Sequence, residues 1–348
     1  MGISKYTKKV LATLVILLFL ISAITYGSIH ILFFKPLNNS LKESYIYIDR
    51  DDTIDSVFQK IKEEFKLPKS PHGFKILNHY KNYSTNIKTG KYAISSKDNS
   101  YSLFMKLFRG HQTPTRLVIN NIRTLDQLAS KVSSQLMLEK AELKIFFGQE
   151  ENLSKLGYTY ETLPALFIPN TYEVYWNMDV KDFINRMSKE HDRFWNKDRI
   201  KKAQEIGLTP IQVATLASIV EEETNDNSEK PIVAGLYLNR LKKDMLLQAD
   251  PTIKFALQDF AIQRITNSDL KIDSPYNTYI YTGLPPGPIR FASIQGLESV
   301  LNYSQHNYLY MCAKDDFSGK HAFATNLREH MINARKYWRA LNQRKIYK

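Results

Sequence analysis

Residues 209–224, TPIQVATLASIVEEET, constrain this chain more than any other stretch. Thr209 is a favoured N-cap residue, Pro210 takes the first helical position where a missing N–H costs nothing, and Gln212 stands at capping-box spacing. The body that follows, up to Val220, carries no charge on any side, so a helix formed by it must be enclosed by other elements rather than laid on a surface. The chain therefore needs a large, mainly helical core. That buried helix then ends in three consecutive acids.

With a helical period of 3.6, Glu221, Glu222 and Glu223 point in different directions and extend different stripes of the helix. Behind Glu223 lie Val220, Ile219 and Leu216; behind Glu221 lie Ser218, Ala217 and Ala214; behind Glu222 lie Ile219, Ser218 and Thr215. Glu223 continues the most apolar stripe. A carboxyl held against such a wall resists ionisation, as a general acid working near neutral pH must. From the pattern alone a solvated, acidic helix end is the simpler reading.

The N-terminus sets the second constraint. Residues 1–9 are short and basic, with Lys5, Lys8 and Lys9, and residues 10–34 are predominantly apolar, long enough to cross a bilayer. No small-x-small site closes the run cleanly, so a retained single-pass signal anchor is expected, with a cytoplasmic N-terminus from the lysine asymmetry. Everything after about Pro36 is then extracytoplasmic. Residues 35–44 read as a polar linker.

Beyond it, residues 45–96 alternate as strand, helix, helix, strand: 45–48 are aromatic and β-branched, Ile54, Val57, Phe58, Ile61 and Phe65 recur at helical spacing, Ser70-Pro71 opens a second helix, and 90–94 return as a strand. Residues 97–165 read as a small α/β connecting unit, with a capping box at Thr124 and Gln127. From 166 onward the chain is mainly helical. Between Gln248 and Ile289 it turns irregular and rich in Pro, Tyr, Asn and Thr, the character of cleft walls on a helical scaffold. The fold class is α+β.

The formal charge is +13, from 48 Lys+Arg against 35 Asp+Glu. Such a diffuse excess suits an extended anionic partner, or solubility alone; with no dense basic block and no nucleic-acid motif, nucleic acid is not an expected partner. Cys312 stands alone, which excludes an intrachain disulfide framework.

Five blocks in order carry a family resemblance: 217–224 (ASIVEEET), 247–252 (LQADPT), 274–279 (SPYNTY), 282–289 (TGLPPGPI) and 321–327 (HAFATNL). They resemble the endolytic murein transglycosylases of the YceG-like family, closely over the last half of the chain and more faintly up to the membrane span. The resemblance implies a LysM-like βααβ module at 45–96 and a catalytic, lytic-transglycosylase-like domain with a cleft at 166–348. It implies non-hydrolytic cleavage of the MurNAc–GlcNAc bond in peptidoglycan glycan strands, leaving 1,6-anhydroMurNAc ends, with Glu223 as the catalytic acid and no cofactor or metal. Gln248, Asp250, Tyr276, Asn277 and Tyr279 are the expected sugar contacts, and Glu221 a possible accessory acid. Cell-wall synthases as partners and a cell (inner) membrane location follow from the family only. A non-catalytic, membrane-anchored peptidoglycan-binding scaffold is the competing reading. His321 is a further candidate whose bland alternative is a satisfied structural histidine.

Overall fold

The structure is a computed structural model that describes residues 4–38, 42–262 and 264–344. Its contacts divide the chain into two units. The first holds residues up to Arg116 together with Glu173–Met178, and the second holds Leu117–Tyr172 and Asp179–Lys348.

In the first unit, helix α1 (Lys5–Ile29) runs on through a π-helical turn, His30–Phe34. Together Lys5–Phe34 form a helix long and apolar enough to cross a membrane, with none of its most apolar window buried against the protein. Strand β1 (Ser44–Ile48), helices α2 (Ile54–Glu64) and α3 (His72–Lys81) and strand β2 (Gly90–Ile94) follow in the expected order. The strands pair antiparallel with Ile46 opposite Tyr92. Thr53 caps α2 through the Ser56 N–H, as its position before the apolar period implies. Ser70 is no cap: Pro71 takes that place on α3, without a side-chain bond.

Helix α4 (Ser100–Arg109) sends Leu103, Phe104 and Leu107 into the same core as Ile46, Val57, Ile61, Phe74 and Tyr92. The residues expected to form a separate unit at 97–165 therefore divide between the two units, at Arg116. Nor do residues 35–38 lead away as a free linker. Pro36 bridges to Asn99, and the Leu37 N–H donates to the Asp98 carbonyl at 2.9 Å. Asn39 and Ser40 lie outside the described residues.

Strand β3 (Thr115–Ile119) pairs with β4 (Asn170–Val174), and the division between the units falls within both; the second unit contains helices α5 (Leu125–Ser133), α6 (Lys140–Gly148), α7 (Glu150–Leu156), α8 (Val180–Phe194) and α9 (Lys197–Glu205). Helix α10 (Pro210–Glu223) is the stretch of three acids. It has the full capping box: Thr209 Oγ1 accepts from the Gln212 N–H and Gln212 Oε1 accepts from the Thr209 N–H. Every residue from Val213 to Glu221 is buried. Helices α11 (Lys230–Leu241), α12 (Asp250–Leu257) and α13 (Ile294–Leu301) follow, and the core around α10 includes Val233, Leu236 and Leu238 of α11, Leu297 and Val300 of α13, and Ile289 from the loop before α13. A hairpin of β5 (Tyr310–Ala313) and β6 (His321–Ala324) and the closing helix α14 (Leu327–Gln343) end the described chain.

Candidate active site

The three acids at the end of α10 meet three different fates. Glu221 is 8% exposed and accepts from both the N–H and the hydroxyl of Ser293, with Lys230 Nζ at 3.9 Å and Arg290 Nε at 3.8 Å. It pins the start of α13 to the end of α10. Gly296 is needed there, since a Cβ at that position would lie 2.8 Å from the Glu221 carboxyl carbon. Glu222 is held from Arg123 by two parallel N–H bonds at 3.1 and 3.0 Å, and from Arg290 at 2.8 Å. Such a fork fixes both orientation and charge.

Of the three, Glu223 lines the larger cavity, whereas Glu222 faces only a small cleft beside Arg123. Glu223 accepts a hydrogen bond from the Tyr237 hydroxyl at 2.7 Å. Tyr237 comes from α11 and is 1% exposed. The cavity has a volume of ≈ 250 Å³ and is lined by Glu223, Tyr237, Arg240, Gln248, Asp250, Tyr279 and His321 among others. Although part of the Glu223 side chain faces this space, protein surrounds its carboxyl closely. Desolvation raises its pKa to about 7, with the nearby Asp250 charge adding to the rise. The Tyr237 bond and the His321 and Arg240 charges oppose the shift but do not cancel it. Burial thus dominates, which is how a carboxylic acid stays partly protonated at neutral pH.

Around this acid the sequence blocks interlock. Gln248 sits in the left-handed backbone region at φ 48° and donates its N–H to the Thr278 carbonyl. A non-glycine residue there is strained, and such strain is retained where the surroundings enforce it. The Ala249 N–H and the Thr252 hydroxyl both reach Thr278 Oγ1, at 3.0 and 2.9 Å. The 247–252 and 274–279 blocks are therefore one tied structure, and Tyr279 hydrogen-bonds to Asp250 across it. A third block is fastened to α10 by the Ile289 N–H, which donates to Ser218 Oγ at 3.0 Å.

Of the expected site residues, Glu223, Gln248, Asp250 and Tyr279 come together on one cavity. The other three do not. Asn277 is 0% exposed, and its amide donates to the Leu270 and Ile272 carbonyls while its oxygen accepts from the Tyr279 N–H, so it holds the turn that presents Tyr279. Tyr276 lines a different cavity, beside Phe255. Glu221 is spent on Ser293.

Sequence reasoning missed Tyr237 and Arg240. Arg240 is 8% exposed and donates to the Leu246, Leu247 and Leu309 carbonyls, a cation fixed beside the acid by backbone oxygens. A lone arginine within the apolar run of α11 was the available signal. His321 was noticed, but not its neighbour: the Glu229 carboxylate holds both its N–H and its Nδ1, at 2.8 and 3.0 Å. The second ring nitrogen, Nε2, is then the one left for the cavity that His321 lines.

Comparison with known proteins adds three findings. Residues 46–336 match the model of the YceG-like family. An endolytic murein transglycosylase of Bacillus subtilis is 36% identical over 167 residues, 47% of this chain and 45% of that protein, and one of Streptococcus pneumoniae is 29% identical over 300 residues, 75% of this chain and 53% of that protein. The match spans about half the length of these curated relatives. A crystal structure of a yceG-like protein from Listeria monocytogenes superimposes with a TM-score of 0.54 at 30% identity, covering 84% of this chain and 99% of the other.

Proposed function

Because the chain belongs to the YceG-like family, we propose that it is a membrane-anchored endolytic transglycosylase acting on the glycan strands of peptidoglycan, with Glu223 as its single catalytic acid. The observation that carries this reading is the Glu223 carboxyl, raised to about 7 by desolvation and opening on a cavity walled by hydrogen-bonding side chains.

In the proposed reaction, protonated Glu223 gives its proton to the glycosidic oxygen between MurNAc and GlcNAc as that bond breaks and positive charge grows at C1 of the muramic sugar. The resulting carboxylate takes the proton of the C6 hydroxyl, whose oxygen closes onto C1. The products are a GlcNAc hydroxyl and a 1,6-anhydroMurNAc end, and no water is consumed. Tyr237 keeps the carboxyl aimed throughout. Asp250, Gln248 and Tyr279 contact hydroxyl and N-acetyl groups, and the Tyr279 ring offers a face for a sugar. A glycosidase pair of carboxyls needs the two facing each other across the bond, and Glu221 and Glu222, turned away from the cavity, are no partners for Glu223.

In the cell, Lys5–Phe34 anchors the chain with its N-terminus cytoplasmic, and the two units act on nascent strands outside the inner membrane. The strand–helix–helix–strand order of the first unit supports reading it as a LysM-like module, and wall synthases are partners suited to an enzyme working on new strands. The test uses the full chain in detergent with purified, uncrosslinked glycan strands. Anhydro ends in the mass spectrum support the reading, reducing ends make the protein a muramidase, and intact strands make it the non-catalytic scaffold.

A further inference from the structure

A second cavity, of ≈ 300 Å³, lies in the same unit and is lined by Arg123, Tyr160, Glu161, Phe255, Gln258 and Tyr276 among others. Its construction is specific. The loop carrying Pro288 passes so near the 161–162 backbone that a Cβ on Gly287 would sit 2.0 Å from the Glu161 carbonyl oxygen. Phe255 and Tyr276 meet at 4.7 Å between ring centroids, forming one aromatic wall.

What links this cavity to Glu223 is helix α12. Asp250, at its first position, lines the Glu223 cavity. Pro251, Lys254 and Phe255 line a small cleft of ≈ 50 Å³, and Phe255 and Gln258 line the second cavity. Pro251, Lys254 and Phe255, at i, i+3 and i+4, share one face of the helix, and Gln258 is its left-handed C-cap residue. The eight residues of α12 span about 12 Å. Helix α12 thus reaches from the catalytic cavity at its first residue, past the cleft, to an aromatic cavity at its C-terminal end whose lining includes amide and carboxylate side chains.

We infer that the second cavity is a distal glycan subsite, taking a pyranose ring of the same strand that is cut at Glu223. Aromatic faces beside planar polar side chains are the chemistry of sugar rings, whose C–H faces stack while their hydroxyls hydrogen-bond. The inference rests on the function proposed above and deepens it, since an enzyme cutting inside a strand holds sugars well away from the broken bond.

Tyr160 is 55% exposed, so its removal leaves the fold alone. The experiment measures binding of glycan oligosaccharides, from tetrasaccharide to octasaccharide and longer uncrosslinked strands, to the full chain carrying Glu223→Gln, with and without Tyr160→Ala. The expected result is an affinity that climbs with length in the parent and loses roughly three- to tenfold of that climb in the Tyr160→Ala protein. An unaltered climb, or the same loss at every length, overturns the subsite while leaving the proposed function standing. No binding of any glycan by the parent overturns both.

Discussion

Keeping Glu223 protonated has a thermodynamic consequence that separates it from its two neighbours. With a folded value of about 7 against an ordinary 4.5, the unfolded chain ionises this group first, so rising pH removes stability between about 4.5 and 7 and leaves it low above that. The shift corresponds to roughly 3 kcal/mol. Glu223→Gln, which never ionises, should therefore melt higher than the wild type at pH 8 and at the same temperature near pH 4, while producing no anhydro ends. Calorimetry across that range checks the sign, and a melting difference independent of pH contradicts it. Tyr237→Phe removes a bond that lowers the Glu223 value, so the alkaline limb of the pH–rate profile should move upward; a downward movement would show the hydroxyl acting otherwise. Much of this scale was hidden from the sequence. The stripe behind Glu223 pointed to an apolar environment, but the Ser293 that occupies Glu221 lies 72 residues away and the Tyr237 beside Glu223 lies on another helix. Asn277, expected at the sugar, proved to be bound wholly within its own turn, and nothing local distinguishes an asparagine that binds ligand from one that braces a loop.

At the scale of elements, α10 was legible because its signals are local: cap, proline, glutamine at the third position and an uncharged body. Its burial on every side makes it the element least able to lose volume. Leu216 is 0% exposed, and Leu216→Ala should remove about 2–5 kcal/mol, read as a fall in the denaturation midpoint with an unchanged slope. A loss below 1 kcal/mol would mean that the surroundings collapse around the gap. Gly296→Ala tests the joint between α10 and α13 through a different mechanism, forcing the Glu221 carboxyl to move; it should destabilise the fold by about 1–3 kcal/mol. Elements fixed by distant partners were harder to read. Short strand β6 carries no alternating pattern of its own and exists through pairing with β5, with Met311 opposite Phe323. Helix α11 begins at Lys230 without a side-chain cap, because Ser228, a natural cap residue, bonds to Asp226 instead.

For the molecule as a whole, the apolar N-terminal helix announced itself through length and composition, whereas its attachment did not. Phe34 packs on Tyr101 at 5.6 Å between ring centroids, and a Cβ on Gly73 would meet the Leu32 carbonyl oxygen at 2.2 Å. The small unit is thus fastened to the end of the apolar helix by side-chain and backbone contacts, which hydropathy cannot reveal. Removing residues 1–34 should move the protein from the membrane to the soluble fraction on carbonate extraction, and retention in the membrane would mean that another surface binds lipid. The central claim, a single acid cutting a glycan without water, is tested most directly by digesting uncrosslinked strands in ¹⁸O-labelled water and weighing the new ends. Ends one water lighter than a reducing sugar, free of ¹⁸O and absent with Glu223→Gln, are the expected result; ends carrying ¹⁸O, or unchanged cutting by the Gln variant, would contradict the account.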